Sequence, residues 1–562
     1  MPNNTQEDIE SLLEAQPDYN KSTDDWEVIV KYNNSLTAVE AELGVHAELL
    51  GDSYAILTLQ AAQIPLLYNY PEIEYIELPK KLFLSQIGQE SLAAACITPV
   101  HSGRYNLSGK GVIVGIIDSG IDYMHPEFRD ANDNSRVLYF WDQLAEGTPP
   151  KGFFHGVEYT SEQLTASSAL TGDYIGHGTA ISGIAAGKTG AAPGASLIVV
   201  KLGEKGHKSF AKTTEIMRAL KYISDKAAVL HMPVAINLSF GTNDGPHSGN
   251  SLFETYINAV STRWKTVIVA ATGNEGVGKH HFSGNMTKGQ KLEASFVTTG
   301  GISSMYLTLW KNFSDTFDFE LIAPGGQSTG IISPKNRFSH MALAGTDVVI
   351  YYGQPSFYNE NQEIYIHISR KSDVIPPGIW RLIITGREVV QGNFHIWLPT
   401  VEEVGVDTAF TTPDPYTTLT LPSTAEKVIS VGGYNAKLGS EADFSGRGYT
   451  YQNVHVKPDL TAPAVDISSA RIGGGYDTFT GTSMAAPFVT GAAALMMEWG
   501  IVQKNNPFLY GQKVKAFLQK TALRNPDRTY PNPTWGYGTL CLRAAMDELY
   551  CYRPKILKST IF

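Results

Sequence analysis

Cysteine is nearly missing from this chain: Cys96, Cys541 and Cys551 are the three among 562 residues. Three is an odd number, and their spacing is not that of metal ligands, so the sequence predicts a reducing compartment and no disulfide framework. Positive charge is also scarce. Lys and Arg total 44 against 55 Asp and Glu, a formal net charge of −11, which leaves no electrostatic footprint for nucleic acid. The opening MPNNTQEDIESLLEAQPD has neither the basic nor the apolar region of a signal peptide, and no stretch reaches about 18 uninterrupted apolar residues. The expectation is a chain with no membrane partner, not secreted by a standard signal. What is present, 43% hydrophobic and 18% charged residues, suits a globular protein large enough for several domains.

The texture of the sequence changes three times. Residues 26–80 alternate short strand and helix patterns (WEVIVKYN, SLTAVEAELG, DSYAILTLQ, then AAQIPLLYNYPEIEYIEL), a β-α-β-β-α-β-like order short of one strand. From about residue 111, GVIVGIID, SLIVVKLG, VAINLSFG and WKTVIVAATGN are β-branched runs without polar alternation. Such runs belong to a parallel sheet buried on both faces. Helical segments lie between them, so an α/β fold with right-handed crossovers is expected. From about 283 the pattern becomes short alternating strands with turn residues, as in an antiparallel sandwich or jelly roll. The α/β texture resumes at AEKVISVGGY. The sequence thus predicts an inserted antiparallel, jelly-roll-like β domain over 283–415, splitting an α/β domain into 87–282 and 416–562.

Four residues stand where chemistry collects in such sheets, at strand ends and helix starts. Ser483 lies in TFTGTSMAAPFVTGAAALMM, a run apolar enough to be a buried helix. Because proline is tolerated only in a first helical turn, Pro487 predicts that the helix begins at or just after Ser483. Ser483 is then either an N-cap or a nucleophile whose own N–H faces an oxyanion. Asp118 closes GVIVGIID and could be a phosphoacceptor, a metal or ribose ligand, or a triad carboxylate. His177 sits among glycines in GDYIGHGTAISGIAAG, either as a structural histidine or as a base. Asn274, in VAATGNEG, is a turn residue or an oxyanion donor. Taken together they are harder to dismiss: a serine needs a base, the base needs a carboxylate, and the developing charge needs donors.

At these motifs, and at INLSFG over 236–241, the sequence resembles the subtilisin-like serine proteases, the subtilases, over residues 100–280 and 420–547. The resemblance implies a subtilisin-like parallel sheet with helices on both faces, and an endopeptidase with Asp118, His177 and Ser483 as triad and Asn274 as oxyanion residue. It makes Ser239, Phe240 and Gly241 the edge that pairs with an extended peptide, with Ala271, Thr272 and Gly273 on the other wall of the S1 cleft. It also makes 1–86 an N-terminal α+β prodomain, inhibitory and templating, that stays bound in the active site after self-cleavage between Gln86 and Ile87, with Ser85 the alternative cleavage residue. Two departures stand out. SGIAAGKTGAAPGASL runs straight into the next strand where many secreted subtilases build a calcium site, so no metal or other cofactor is expected, and Ala180 stands where the family often has a second histidine.

A prodomain without a secretion signal, a missing calcium loop and an inserted jelly-roll-like domain are together similar to one subgroup, the Csp germination proteases of clostridial spores. That likeness implies a cytoplasmic or spore-associated protein in a spore-forming bacterium, whose protein substrate is the zymogen of a spore-cortex lytic hydrolase. The alternative is a pseudoprotease-like scaffold or signalling protein whose triad acts only on its own chain.

Overall fold

The structure, a computed structural model, describes residues 25–51, 54–77, 89–202, 212–335, 338–356, 358–370 and 374–552. The chain divides into two compact units, Met1–Ser85 and Gln86–Phe562. The first holds a four-stranded antiparallel sheet in the order His46–Gly51, Tyr54–Gln60, Asp25–Tyr32, Ile73–Glu77. Val28, Val30, Ala55 and Leu57 point to its core, together with Val39 of the helix Thr37–Leu43. The strand His46–Gly51 is the one absent from the sequence reading. Its alternation is weak because Ala47 is buried while Leu49 is 62% exposed.

The second unit is built on a nine-stranded sheet. Seven of its strands run parallel, in the spatial order Leu460–Pro463, Ile429–Asn435, Thr266–Ala271, Val234–Leu238, Ile113–Asp118, Ser196–Lys201, Val137–Asp142. Successive residues of each strand feed opposite cores. Val114, Ile116, Ala235, Val267 and Val269 pack under the helices His177–Ala186 and Thr482–Met497, while Ile113, Ile117, Ile236, Leu238 and Ile268 pack under Thr213–Val229 and Leu252–Ser261. Burial on both faces is why these runs lack polar alternation. The helix Thr482–Val502 is apolar enough to cross a membrane, yet 89% of its most apolar stretch is buried inside the molecule.

Between Ala271 and Ile429 the chain leaves to form two antiparallel sheets that share one apolar core. One has six strands, in the order His281–Asn285, Asn393–Trp397, Ser304–Asn312, Asn361–Ser369, Thr346–Tyr352, Phe338–Leu343; the other has four, Thr316–Ile322, Gly378–Glu388, Lys291–Thr298, Ala409–Phe410. The outgoing strand His281–Asn285 pairs directly with the returning strand Asn393–Trp397, so the insertion leaves and re-enters at one place.

The cysteine expectation is corrected. Cys96 and Cys541 are joined as a disulfide, 445 residues apart in sequence and 4.8 Å apart at Cα, leaving Cys551 as a free, exposed thiol. Counting cysteines cannot reveal such a pair, because what brings the two together is the docking of the helix Leu542–Cys551 against the segment around Thr98–Val100.

Candidate active site

Asp118, Ser239 and Asn274 lie at the carboxyl ends of three neighbouring parallel strands, Asp118 as the last strand residue and the other two just beyond theirs. Asp118 is buried and accepts from its neighbour's backbone, Ser119 N, at 2.8 Å. The same oxygen, Oδ1, lies 2.8 Å from Nδ1 of His177. His177 opens its helix, and that helix is held against the strand by contacts that require small residues. A Cβ on Gly178 would stand 2.2 Å from the carbonyl oxygen of Gly120. Gly178 N donates to Ser119 Oγ at 2.9 Å, and Ser119 Oγ donates to Asp173 at 3.0 Å.

Asp173 is a site residue that motif reasoning passed over. Its carboxylate accepts from Ile175 N, Gly176 N, Thr179 N and Thr179 Oγ1 at 2.8–3.0 Å, so it gathers the orphan donors of the histidine helix and fixes where His177 begins. The available signal was an acidic residue four positions before the histidine in GDYIGHG. Burial works to lower the His177 pKa, but the charge of Asp118 and the hydrogen bond to it, with Asp173 and Glu402 adding charge, outweigh burial, and the net shift is upward from 6.5.

The serine helix begins at Thr482, with Gly481 as its N-cap, one residue earlier than Pro487 implied. Pro487 therefore stands in the second turn. Its missing N–H leaves the Ser483 carbonyl without a helical donor, and Ser239 Oγ supplies one at 3.0 Å. Ser483 is not the cap. Its hydroxyl donates to Ser239 O at 3.1 Å, so in this resting arrangement the hydrogen bond it makes is to backbone rather than to His177. Ser239 Oγ also accepts from Asn237 Nδ2 at 2.8 Å, and Asn237 Oδ1 accepts from Thr490 Oγ1 at 2.9 Å, tying strand to helix through buried polar groups.

Asn274 is oriented by the same helix start. Its Oδ1 accepts from Thr482 N at 3.1 Å and Thr482 Oγ1 at 3.2 Å, which turns Nδ2 outward. A Cβ built on Gly481 would lie 3.7 Å from Asn274 Nδ2 and 3.9 Å from Ser483 N, so both donors border one small space. That is the arrangement an oxyanion needs. In the resting site, however, Nδ2 donates to Glu402 Oε1 at 3.1 Å, a residue of the short helix Val401–Val404 on the returning segment of the insertion.

The residues expected to wall the cleft are not equally exposed. Ser239 is buried, with Phe240 and Gly241 nearer the surface. On the other wall Ala271 packs into the core and Thr272 is fully buried, so of the three only Gly273 reaches the surface. Thr420, missed by the sequence reading because it follows the insertion, stands between the walls. Its N and Oγ1 bond Thr272 O at 3.0 and 3.3 Å, and a Cβ on Gly241 or Gly273 would come within 2.1 or 2.5 Å of its Oγ1. Among the described residues no group of His, Cys, Asp and Glu is placed to hold a metal ion. The expected cleavage point, Gln86 and Ile87, lies outside the described residues.

Comparison with known proteins shows the family. The Subtilase family matches residues 109–357 and 392–538, well over half of the chain. The chain belongs to the subtilase family. Residues 1–80 of this subtilase match the Csp protease B prodomain. Its structure is similar to that of the Clostridium perfringens CspB protease, with 37% identity, a TM-score of 0.77, and coverage of 83% of this chain and 98% of that one. The PI-type proteinase of Lactococcus lactis subsp. cremoris is 25% identical over 96% of this subtilase, which spans 31% of that relative's length. The minor extracellular protease Vpr of Bacillus subtilis is 25% identical over 77% of this chain and 51% of its own.

Proposed function

We propose that this subtilase is a self-processing serine endopeptidase that activates another protein zymogen in a germinating spore. The observation that carries the catalytic part is the Asp118–His177 bond, with the Asn274 amide and the Ser483 N–H bordering one space beside Gly481. Asp118 holds the Nδ1–H of His177, which leaves Nε2 free to take a proton. Turning about its Cα–Cβ bond, Ser483 gives its proton to His177 as Oγ attacks the scissile carbonyl carbon. The oxyanion is held by Asn274 Nδ2 and Ser483 N. His177 then protonates the leaving amine, and water, deprotonated in turn by His177, releases the acyl group.

The prodomain match and the likeness to the CspB protease support the narrower reading. In it the prodomain of residues 1–86 is cut at Gln86–Ile87 and remains in the cleft as an inhibitor, the protein works in the cytoplasm or spore of a spore-forming bacterium, and its substrate is the zymogen of a cortex-lytic hydrolase. A second reading, a scaffold whose triad acts once on its own chain, draws on the resting pairings of Ser483 and Asn274 with Ser239 and Glu402. Intact masses of the purified protein and of Ser483→Ala under denaturing conditions test the proposal. Two fragments breaking near Gln86 in the wild type alone are expected; an uncut wild type with a folded core would overturn it. Turnover of an added protein by the matured chain separates the two readings.

A further inference from the structure

The insertion reaches the reacting centre through one side chain. Glu402 Oε1 accepts from Asn274 Nδ2 at 3.1 Å, the amide whose Oδ1 is already committed to Thr482. The contact is not left to a free loop. Glu275, the residue after Asn274, is buried, and its carboxylate accepts from Val401 N at 2.8 Å and Asn243 Nδ2 at 3.2 Å and is bonded to His280 Nδ1 at 2.7 Å. Asn243 Nδ2 also donates to Leu398 O at 3.0 Å, and Leu398 N to His280 O at 2.9 Å. Thr400 and Glu403 close the start of the short helix, and Val404 anchors it in the core of the insertion. Trp397, just upstream, stacks on His247 of the sheet domain with ring centres 4.0 Å apart. The backbone carrying Glu402 is thus fixed on both sides, while its side chain is exposed.

We infer that Glu402 is an active-site residue contributed by the inserted domain, one that competes with the substrate carbonyl oxygen for the Asn274 amide and so limits the rate of acylation. The inference rests on the serine-peptidase reading. A carboxylate on the donor does two things. It removes from the resting site one of the two groups that would receive the oxyanion, and its charge opposes the charge that develops there. A site competent for only a fraction of the time reacts more slowly by that fraction, so a contact formed about nine-tenths of the time slows acylation about tenfold. The gate is local, because Glu402 touches Asn274 and not Asp118 or the Ser239–Ser483 pair.

The test is the second-order rate at which a fluorophosphonate reagent labels Ser483 in the purified full-length chain. Its phosphoryl oxygen needs the same donors as a peptide carbonyl. Glu402→Ala is expected to label about 5- to 10-fold faster than wild type, with Glu402→Gln, which keeps the acceptor but not the charge, and Glu402→Asp, which withdraws the carboxylate, falling between. In an Asn274→Ala background, at a pH above the His177 pKa where that base is already neutral, Glu402→Ala should lose most of its effect, a result that a purely structural role would not give. Labelling that is unchanged or slower in the Glu402 variants, with the wild type still labelled at Ser483, overturns the inference and leaves the peptidase reading standing. Labelling that is the same with and without Ser483 overturns both.

Discussion

Ser239 and Ser483 hold each other by two hydrogen bonds of opposite sense: the Ser483 hydroxyl donates to the Ser239 carbonyl at 3.1 Å, and the Ser239 hydroxyl donates to the Ser483 carbonyl at 3.0 Å. The second bond exists because Pro487 cannot make it. A substrate strand lying along 239–241 would thus meet a backbone already tied to the nucleophile's own residue. Ser239→Ala leaves the Ser483 carbonyl and the Asn237 amide short of partners in a buried setting, and is expected to lower stability by about 1–3 kcal/mol. Urea denaturation of the Ser483→Ala form, with and without Ser239→Ala, measures this without interference from self-cleavage.

Removing the Asn274 amide should be felt in the chemistry. Asn274→Ala is expected to slow self-processing by roughly 10² to 10³, the usual loss for one oxyanion donor. The time course of fragment appearance by denaturing electrophoresis checks it. Processing at the wild-type rate would mean that Asn274 is only the cap for Thr482 N.

The upward shift of His177 fixes the sign of a pH effect. A general base must be neutral, so kcat/KM should fall as pH drops through a pKa above 6.5. Three carboxylates lift that pKa, those of Asp118, Asp173 and Glu402. Glu402→Gln removes one of them and is expected to move the acid limb toward lower pH. A pH profile of turnover for both proteins reads the shift directly, and a limb that stays in place would separate Glu402 from His177.

Thr420 closes the space between Gly241 and Gly273, so short residues such as Ala or Ser should be preferred immediately before the cleaved bond. Thr420→Ala is expected to shift preference toward larger side chains by about 10-fold, the scale for one or two methylenes in a pocket. Competition between internally quenched peptides that differ at that one residue tests it, and an unchanged ratio would place the specificity elsewhere.

The Cys96–Cys541 bond gives a count. Denatured without reductant, the chain should titrate with one thiol, that of Cys551, and after reduction with three. Three thiols in the unreduced chain would restore the reducing-compartment reading.

Much of the α/β sheet was legible in the sequence because burial on both faces writes itself as apolar runs, and the four candidate site positions were legible because each sits in a short local motif that ends a strand or opens a helix. Local signals misled where long-range partners intervened. Pro487 marks a first turn only if no outside donor replaces its N–H, and Ser239 does so from 244 residues away. The edge strand His46–Gly51 forms by pairing with Tyr54–Gln60 despite weak alternation of its own.

The sequence by itself determined where the buried strands and the alternating insert strands lie and put forward Asp118, His177, Asn274 and Ser483 as candidates, since each of these signals is written in a run or motif of about a dozen residues. Only the tertiary structure decided what surrounds them: Asp173 at the start of the histidine helix, Thr420 between the cleft walls, Glu402 on the Asn274 amide, and Cys96 beside Cys541. These contacts join segments separated by three residues in one case and by well over a hundred in the others. No periodicity or motif records where a chain returns after a long excursion; the packing of the returning segments does.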